Sequence, residues 1–119
     1  MNFVDHHTYN FEQEVWPLAA KKQIGLLAMK VFGGQNKQEG GGLSHSMVPP
    51  RFHEMAFRYA LSQSGIASAA IGMATWEELH QNVKWAKSFR PITSGEAVKL
   101  RAIGKDLSKN WGSHFGPVV

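Results

Sequence analysis

With 119 residues, 43% of them hydrophobic, the chain fits one domain with an ordinary globular core, and wholesale disorder is excluded. Lys and Arg number 13 against 9 Asp and Glu, for a net charge of +4. The charges are scattered, without a like-charge run or a basic stripe, so they read as solvated faces rather than a nucleic-acid footprint, and a modest positive field also suits an anionic cofactor. Cysteine is absent, which excludes disulfide and thiolate chemistry and makes the cytosol the simplest location.

The residues after Met1 lack the basic start and apolar core of a signal peptide. The longest apolar run, Ile24 to Met29, is far short of a membrane span. In chain order, Asn2 to Thr8 reads as a first strand, followed by a polar turn at Tyr9 and Asn10 and a helix reaching Lys22. Pro17 interrupts that helix, so either it starts near Trp16 with Pro17 in its first turn, the favoured reading, or it kinks there. Ile24 to Phe32 is a second strand, closed by Gly33 and Gly34. Gln35 to Pro50 is a long glycine-rich loop of the kind that serves as a lid or mobile segment. Ser46 or Pro49 and Pro50 then lead into a helix from about Arg51 to Ser64, capped by Gly65.

Ile66 to Met73 reads as a third strand, buried on both faces as in parallel sheets. Thr75 and Glu78 stand at capping-box spacing and open a helix to Ser88 that carries Leu79, Val83 and Ala86 on one face. Thr93 and Glu96 form a second capping box for a last helix with Val98, Leu100, Ile103 and Leu107. The tail from Asn110, with Trp111 and Phe115, is expected to pack back on the body. Strands alternating with helices predict an α/β fold of three parallel βα units plus a C-terminal helix, in a single domain over residues 1–119.

Ligands in such folds sit at the carboxyl ends of the strands, here His6 to Asn10, Lys30 to Gly34 and Gly72 to Thr75. Free amides at a strand-to-helix turn suit an anion. Glycine at a strand end is also ordinary turn chemistry, and Glu77 and Glu78 in the first helical turn oppose negative charge there while complementing the helix dipole. Neither the dinucleotide fingerprint nor the P-loop occurs. His6 and His7 are adjacent on the predicted strand and point to opposite faces, and His45, His53, His80 and His114 are far apart, so no metal site is expected. Asp5 and His6 with a serine form no hydrolytic set, since the G-x-S-x-G elbow is missing. Trp16, Trp76, Trp85 and Trp111 lack interleaved basic residues and read as packing groups.

Taken in order, NFVDHHTYNFEQEV, IGLLAMKVFGG, AFRYALSQSGIASAAIGM with TWEELHQN, SFRP and WGSHFGPV resemble the C-terminal part of the aldo/keto reductase family, most of all the bacterial branch with AMKVFGG and IGM strand ends. The resemblance covers the chain almost end to end. It implies the sixth to eighth βα units of a (β/α)8 TIM barrel, with NADP, or NAD, extended across the strand ends. By that resemblance His6 takes the place of a residue contacting the nicotinamide carboxamide. Met29 stands where a tyrosine stacks on the nicotinamide, and Lys30, Val31, Phe32 and Gly33 form the strand end at the pyrophosphate. Gly72, Met73 and Ala74 match the strand end near the adenosine phosphate, while Gln81 and Asn82 match the pair facing adenine.

The basic residue near Gly72 and the arginine near Glu78 that hold a 2′-phosphate in many members are absent, which leaves NAD open beside NADP. The family's catalytic Asp, Tyr, Lys and His belong to the first half of the barrel and are not matched. The resemblance therefore implies a cofactor-binding portion of an oxidoreductase that is inactive alone. Its partners would be the nicotinamide cofactor and a complementing N-terminal half or a second copy, with no nucleic acid and no membrane. The alternative is a non-catalytic nucleotide-binding or self-associating half-barrel module.

Overall fold

The computed structural model describes residues 2–4, 7, 11–34 and 46–110. Its elements in chain order are α1 (Phe11–Lys21), β1 (Leu26–Ala28), a 3-10 turn at Pro50–Phe52 running into α2 (His53–Leu61), β2 (Ile66–Ala69), α3 (Trp76–Lys87) and α4 (Ser94–Ser108). Among the described residues the sheet has two strands, β1 and β2, paired in parallel with Leu26 opposite Ile66, Leu27 opposite Ser68 and Ala28 opposite Ala69. The register slips between Leu26 and Leu27.

The expected set of three parallel βα units, and with it the partial TIM barrel, is not what forms. Asn2 to Thr8 supplies no third strand among its described residues: Asn2, Phe3, Val4 and His7 follow turns. The Asn2 carboxamide accepts from the Val4 amide (2.9 Å) and donates to the Lys30 carbonyl (3.0 Å), and the His7 amide bonds back to the Val4 carbonyl (3.0 Å). Local side-chain-to-backbone bonding of this kind competes directly with a strand ladder. Phe3 and Val4 are fully buried all the same, Phe3 meeting Phe52 and Tyr59 edge-on with ring centroids 6.3 Å apart.

Helix α1 starts at Phe11 rather than near Trp16 and holds Pro17 in its interior; acidic Glu12 and Glu14 in its first turn suit the helix dipole there. Strand β1 is much shorter than Ile24 to Phe32. Lys30 adopts a left-handed φ of 58° and Gly33 one of 85°, and the Gly33 amide closes a turn on the Lys30 carbonyl at 2.8 Å. That turn swings Val31 and Phe32 into the core. The Val48 amide then bonds the Phe32 carbonyl (3.0 Å), fastening the chain before α2 to the turn.

Helix α2 is the central element, with Ala56, Phe57, Arg58, Tyr59 and Ala60 all buried. It ends at Leu61, short of Ser64, and Gly65 at φ 82° turns the chain into β2. The Arg58 guanidinium is held by two 2.8 Å bonds to the Glu96 carboxylate and by the carbonyls of Arg90 (3.0 Å) and Pro91 (3.1 Å). This fork-to-fork pairing ties α2 to the start of α4 and to the link before it.

Both predicted helix starts are present. Thr93 and Glu96 form a reciprocal capping box at α4, and Thr75 caps α3 by accepting from the Glu78 amide at 3.2 Å. The expected inner face of α3 is corrected. Val83 and Ala86 are exposed, and the helix instead buries Asn82 and packs Trp85 beside Phe32 and Phe57. On α4, Leu100 is core and Ile103 and Leu107 pack against it, while Val98 faces solvent. The part of the expected loop at residues 35–45 and the expected packed tail with Trp111 and Phe115 lie outside the described residues. Among the described residues no helix is long and apolar enough to cross a membrane.

Candidate functional site

Parallel pairing places the carboxyl ends of β1 and β2 side by side, with the Ala70 amide donating to the Ala28 carbonyl at 2.8 Å. The segments 29–34 and 70–75 therefore leave the sheet at the same edge. Of the residues expected at the first strand end, Met29 and Lys30 are exposed, whereas Val31 and Phe32 are core. Phe32 stacks on His53 with centroids 4.4 Å apart, so its side chain is committed to packing. Gly33 is buried in the turn. At the second strand end Gly72, Met73 and Ala74 are all exposed. His6 lies outside the described residues.

The helix that follows β2 carries the most unusual group. Asn82 is only 7% exposed, and among the described residues neither its amide nitrogen nor its carbonyl oxygen has a hydrogen-bond partner. A buried carboxamide left with both halves unpaired costs roughly 1–3 kcal/mol. Gln81 beside it is partly exposed. Side chains on a helix lean toward its N-terminus, and residues four apart share a face. Asn82 therefore shares a helix face with Glu78, one turn earlier.

That strand end already holds a negative group. The Ala74 amide donates to the Glu78 carboxylate at 2.6 Å, so Glu78 reaches back past the capping residue Thr75 and takes the amide just before it. Glu77 adds a second carboxylate in the same turn. Trp76 stands 72% exposed beside it, with its ring centroid 6.4 Å from that of His80. The two strand ends thus differ in charge, with Lys30 at one and Glu77 and Glu78 at the other.

Packed against Phe32, His53 pairs with Ser46, a contact that neither spacing nor motif singles out. His53 Nε2 lies 2.7 Å from the Ser46 hydroxyl and 2.8 Å from the Val48 carbonyl, and the same hydroxyl donates to that carbonyl at 2.8 Å. A carbonyl only accepts, so this network assigns the proton to Nε2. His53 is then no base for Ser46. Burial lowers its pKa from the usual imidazole value, against the opposing pull of the Val48 carbonyl and of the Glu78 charge.

A second polar cluster joins α1, α2 and α4. The Tyr59 hydroxyl donates to Glu12, and Arg101 reaches the same carboxylate at 3.5 Å. Burial, together with the Glu12 carboxylate, pushes the Tyr59 phenol above its ordinary value. Tyr59 is fully buried and so cannot hand its proton to a bound substrate. Among the described residues no group of three or more His, Cys, Asp or Glu could hold a metal ion.

Comparison with protein-family models, with curated proteins and with solved structures gives no match. The resemblance to aldo/keto reductases therefore stands on the quoted motifs alone.

Proposed function

We propose that this chain is the C-terminal, cofactor-binding portion of an NAD(P)H-dependent aldo/keto reductase, acting from the cytosol and inactive by itself. The observation that carries the reading is the pair of adjacent strand ends, with Gly72, Met73 and Ala74 exposed at the end of β2; Asn82, a buried carboxamide without a partner among the described residues, lies on the helix that follows. A carboxamide offers a donor and an acceptor side by side, the complement of the N6 and N7 edge of adenine, and because both Asn82 atoms are closed off from solvent, α3 must shift for a nucleotide to reach them. Gly72, Met73 and Ala74 are exposed to take the adenosine beside it, with Gln81 partly exposed next to Asn82.

At the neighbouring strand end Met29 and Lys30 are exposed and would meet the nicotinamide and the pyrophosphate. Val31 and Phe32, being core, could contribute only backbone, as could Gly33. When bound, the nicotinamide supplies the hydride chemistry. The chain's own residues bind and orient. The proton donor that carbonyl reduction needs is not matched in the motifs, and the buried Tyr59, bonded to Glu12, is unsuited to the role.

Trp76 at the junction serves as a reporter. Titration with NADH or NADPH should quench tryptophan fluorescence saturably, and a flat titration with both would refute the binding reading. With a panel of aldehydes, NADPH oxidation should not exceed that of a denatured control; turnover would overturn the inactive assignment.

The exposure of Leu18, Ile24, Leu27 and Met29 favours a second reading, a non-catalytic assembly module completed by a second copy or by an N-terminal partner. Light scattering after size exclusion distinguishes them: a discrete dimer supports the module, and a monodisperse monomer opposes it.

A further inference from the structure

We infer that helix α1 carries a self-association surface, on which a second copy of this chain docks its own α1 antiparallel about a two-fold axis. The inference rests on the assembly reading above, is independent of nucleotide binding, and names the surface, its occupant and the pairing. Phe11, Val15 and Leu18 recur along α1 at spacings of four and three residues, the pattern of a seam between two packed helices. Each is at least 40% exposed. The side of α1 that turns inward is a different one, where Ala19 is buried and Glu12 and Trp16 are half-buried. The seam continues past the helix. Lys22, whose amide still bonds the Leu18 carbonyl at 3.1 Å, takes its next position. The Gln23 amide then bonds the Ala20 carbonyl (3.1 Å) and the Ile24 amide the Ala19 carbonyl (2.9 Å), with Gln23 at a left-handed φ of 55°. A closing turn of this form folds the residue after it back onto the last helical turn, so the exposed Ile24 extends the apolar strip from Leu18.

Charge along the rim selects the occupant and its direction. Glu14 and Lys21 are both exposed and stand seven residues apart, two turns along one flank of the seam, acidic toward the N-terminus and basic toward the C-terminus. An antiparallel copy sets Val15 against the partner's Leu18 and Glu14 against the partner's Lys21, and the two-fold axis repeats each contact. Lys22 then meets the partner's Phe11, whose ring face receives a cation while the lysine stem covers apolar surface. A parallel copy brings Glu14 level with Glu14 and loses that match. The surface is therefore complementary to itself in one orientation, and the ion pairs set that orientation while the apolar strip supplies the association.

Analytical ultracentrifugation of the whole chain over a dilution series tests this, circular dichroism confirming that each variant is folded. The parent should be a dimer. Leu18→Glu should leave a folded monomer, and Glu14→Lys and Lys21→Glu should each weaken self-association at least about tenfold. Mixed together, the two charge variants should form a heterodimer, since each supplies the charge that the other lacks. A dimer that Leu18→Glu leaves intact overturns the α1 surface while the assembly reading stands. Charge variants that self-associate as the parent does, or that fail to pair on mixing, overturn the antiparallel arrangement. A parent that stays monomeric across the series overturns the inference and the assembly reading together.

Discussion

Gly104 sits in α4, four residues from its end, where glycine ordinarily costs a helix about 1 kcal/mol relative to alanine. A methyl group there would overlap the Phe3 carbonyl oxygen and come within 2.9 Å of its carbon and 3.1 Å of Phe3 Cδ2. Favourable carbon–carbon separation is about 3.5–4.0 Å, and the obstacle is mostly backbone, so α4 or the N-terminal segment must move. Overpacking of this kind costs roughly 2–3 kcal/mol. Set against the gain in helix propensity, Gly104→Ala should lose about 1–2 kcal/mol, or lower the melting temperature by about 4–8 °C. Gly95, in the first turn of the same helix with nothing within 4 Å of its added methyl, is the control, and Gly95→Ala should be neutral or stabilising by up to about 1 kcal/mol. Urea denaturation of the three proteins gives the comparison. Stabilisation by Gly104→Ala would mean that residues 2–4 do not dock on α4, and the turn that replaces the expected first strand would be misplaced.

Asn82→Leu should stabilise the chain by about 1–3 kcal/mol in urea denaturation, because it removes an unpaired buried carboxamide, while abolishing nucleotide binding; destabilisation would show that Asn82 has an internal role. Pairing with Arg58, reinforced by the Thr93 amide, lowers Glu96 from 4.5 to about 2, so its contribution is complete above pH 4.5 and lost as pH falls toward 2. Glu96→Gln should therefore be less stable than the parent at neutral pH and match it near pH 2, and a constant difference across that range would contradict the pairing. His53 acts in the same direction from a higher pH. Its lowered pKa means the unfolded chain takes up a proton below about 6.5 that the folded chain refuses, so stability should fall as pH drops through that value, and His53→Gln should blunt the fall. Tyr59→Phe leaves the nearly buried Glu12 carboxylate short of its hydroxyl donor and should cost about 1–3 kcal/mol by chemical denaturation; an unchanged midpoint would contradict the hydrogen bond.

The helix starts at Thr75 and Thr93 were legible because capping is local chemistry, settled within four residues. The start of β2 at Ile66 was legible from its glycine-bounded apolar run, but the strand ends at Ala69 rather than Met73, and its residues are half-buried or exposed rather than buried on both faces. The first strand was not, since the Asn2 side chain spends its donor and acceptor on Val4 and Lys30, a choice that depends on a residue 28 positions away. The length of β1 was misread because a lysine in the left-handed region ends it, and periodicity carries no trace of that. The inward face of α3 was misread because an apolar stripe points to Leu79, Val83 and Ala86, whereas the helix turns Asn82 and Trp85 inward, the latter beside Phe32 and Phe57. Arg58 likewise reads as surface until Glu96, far along the chain, is brought to it.

On the proposed reading, the exposed strand end before α3 and the helix carrying Asn82 receive the adenosine of a nicotinamide cofactor. A heteronuclear NMR titration of the uniformly 15N-labelled chain with NADH decides this. Saturable shifts of the Asn82 side-chain amide pair together with the backbone amides of Gly72, Met73 and Ala74 are expected. Shifts that leave Asn82 and this strand end unmoved, or no shifts at all, would contradict it.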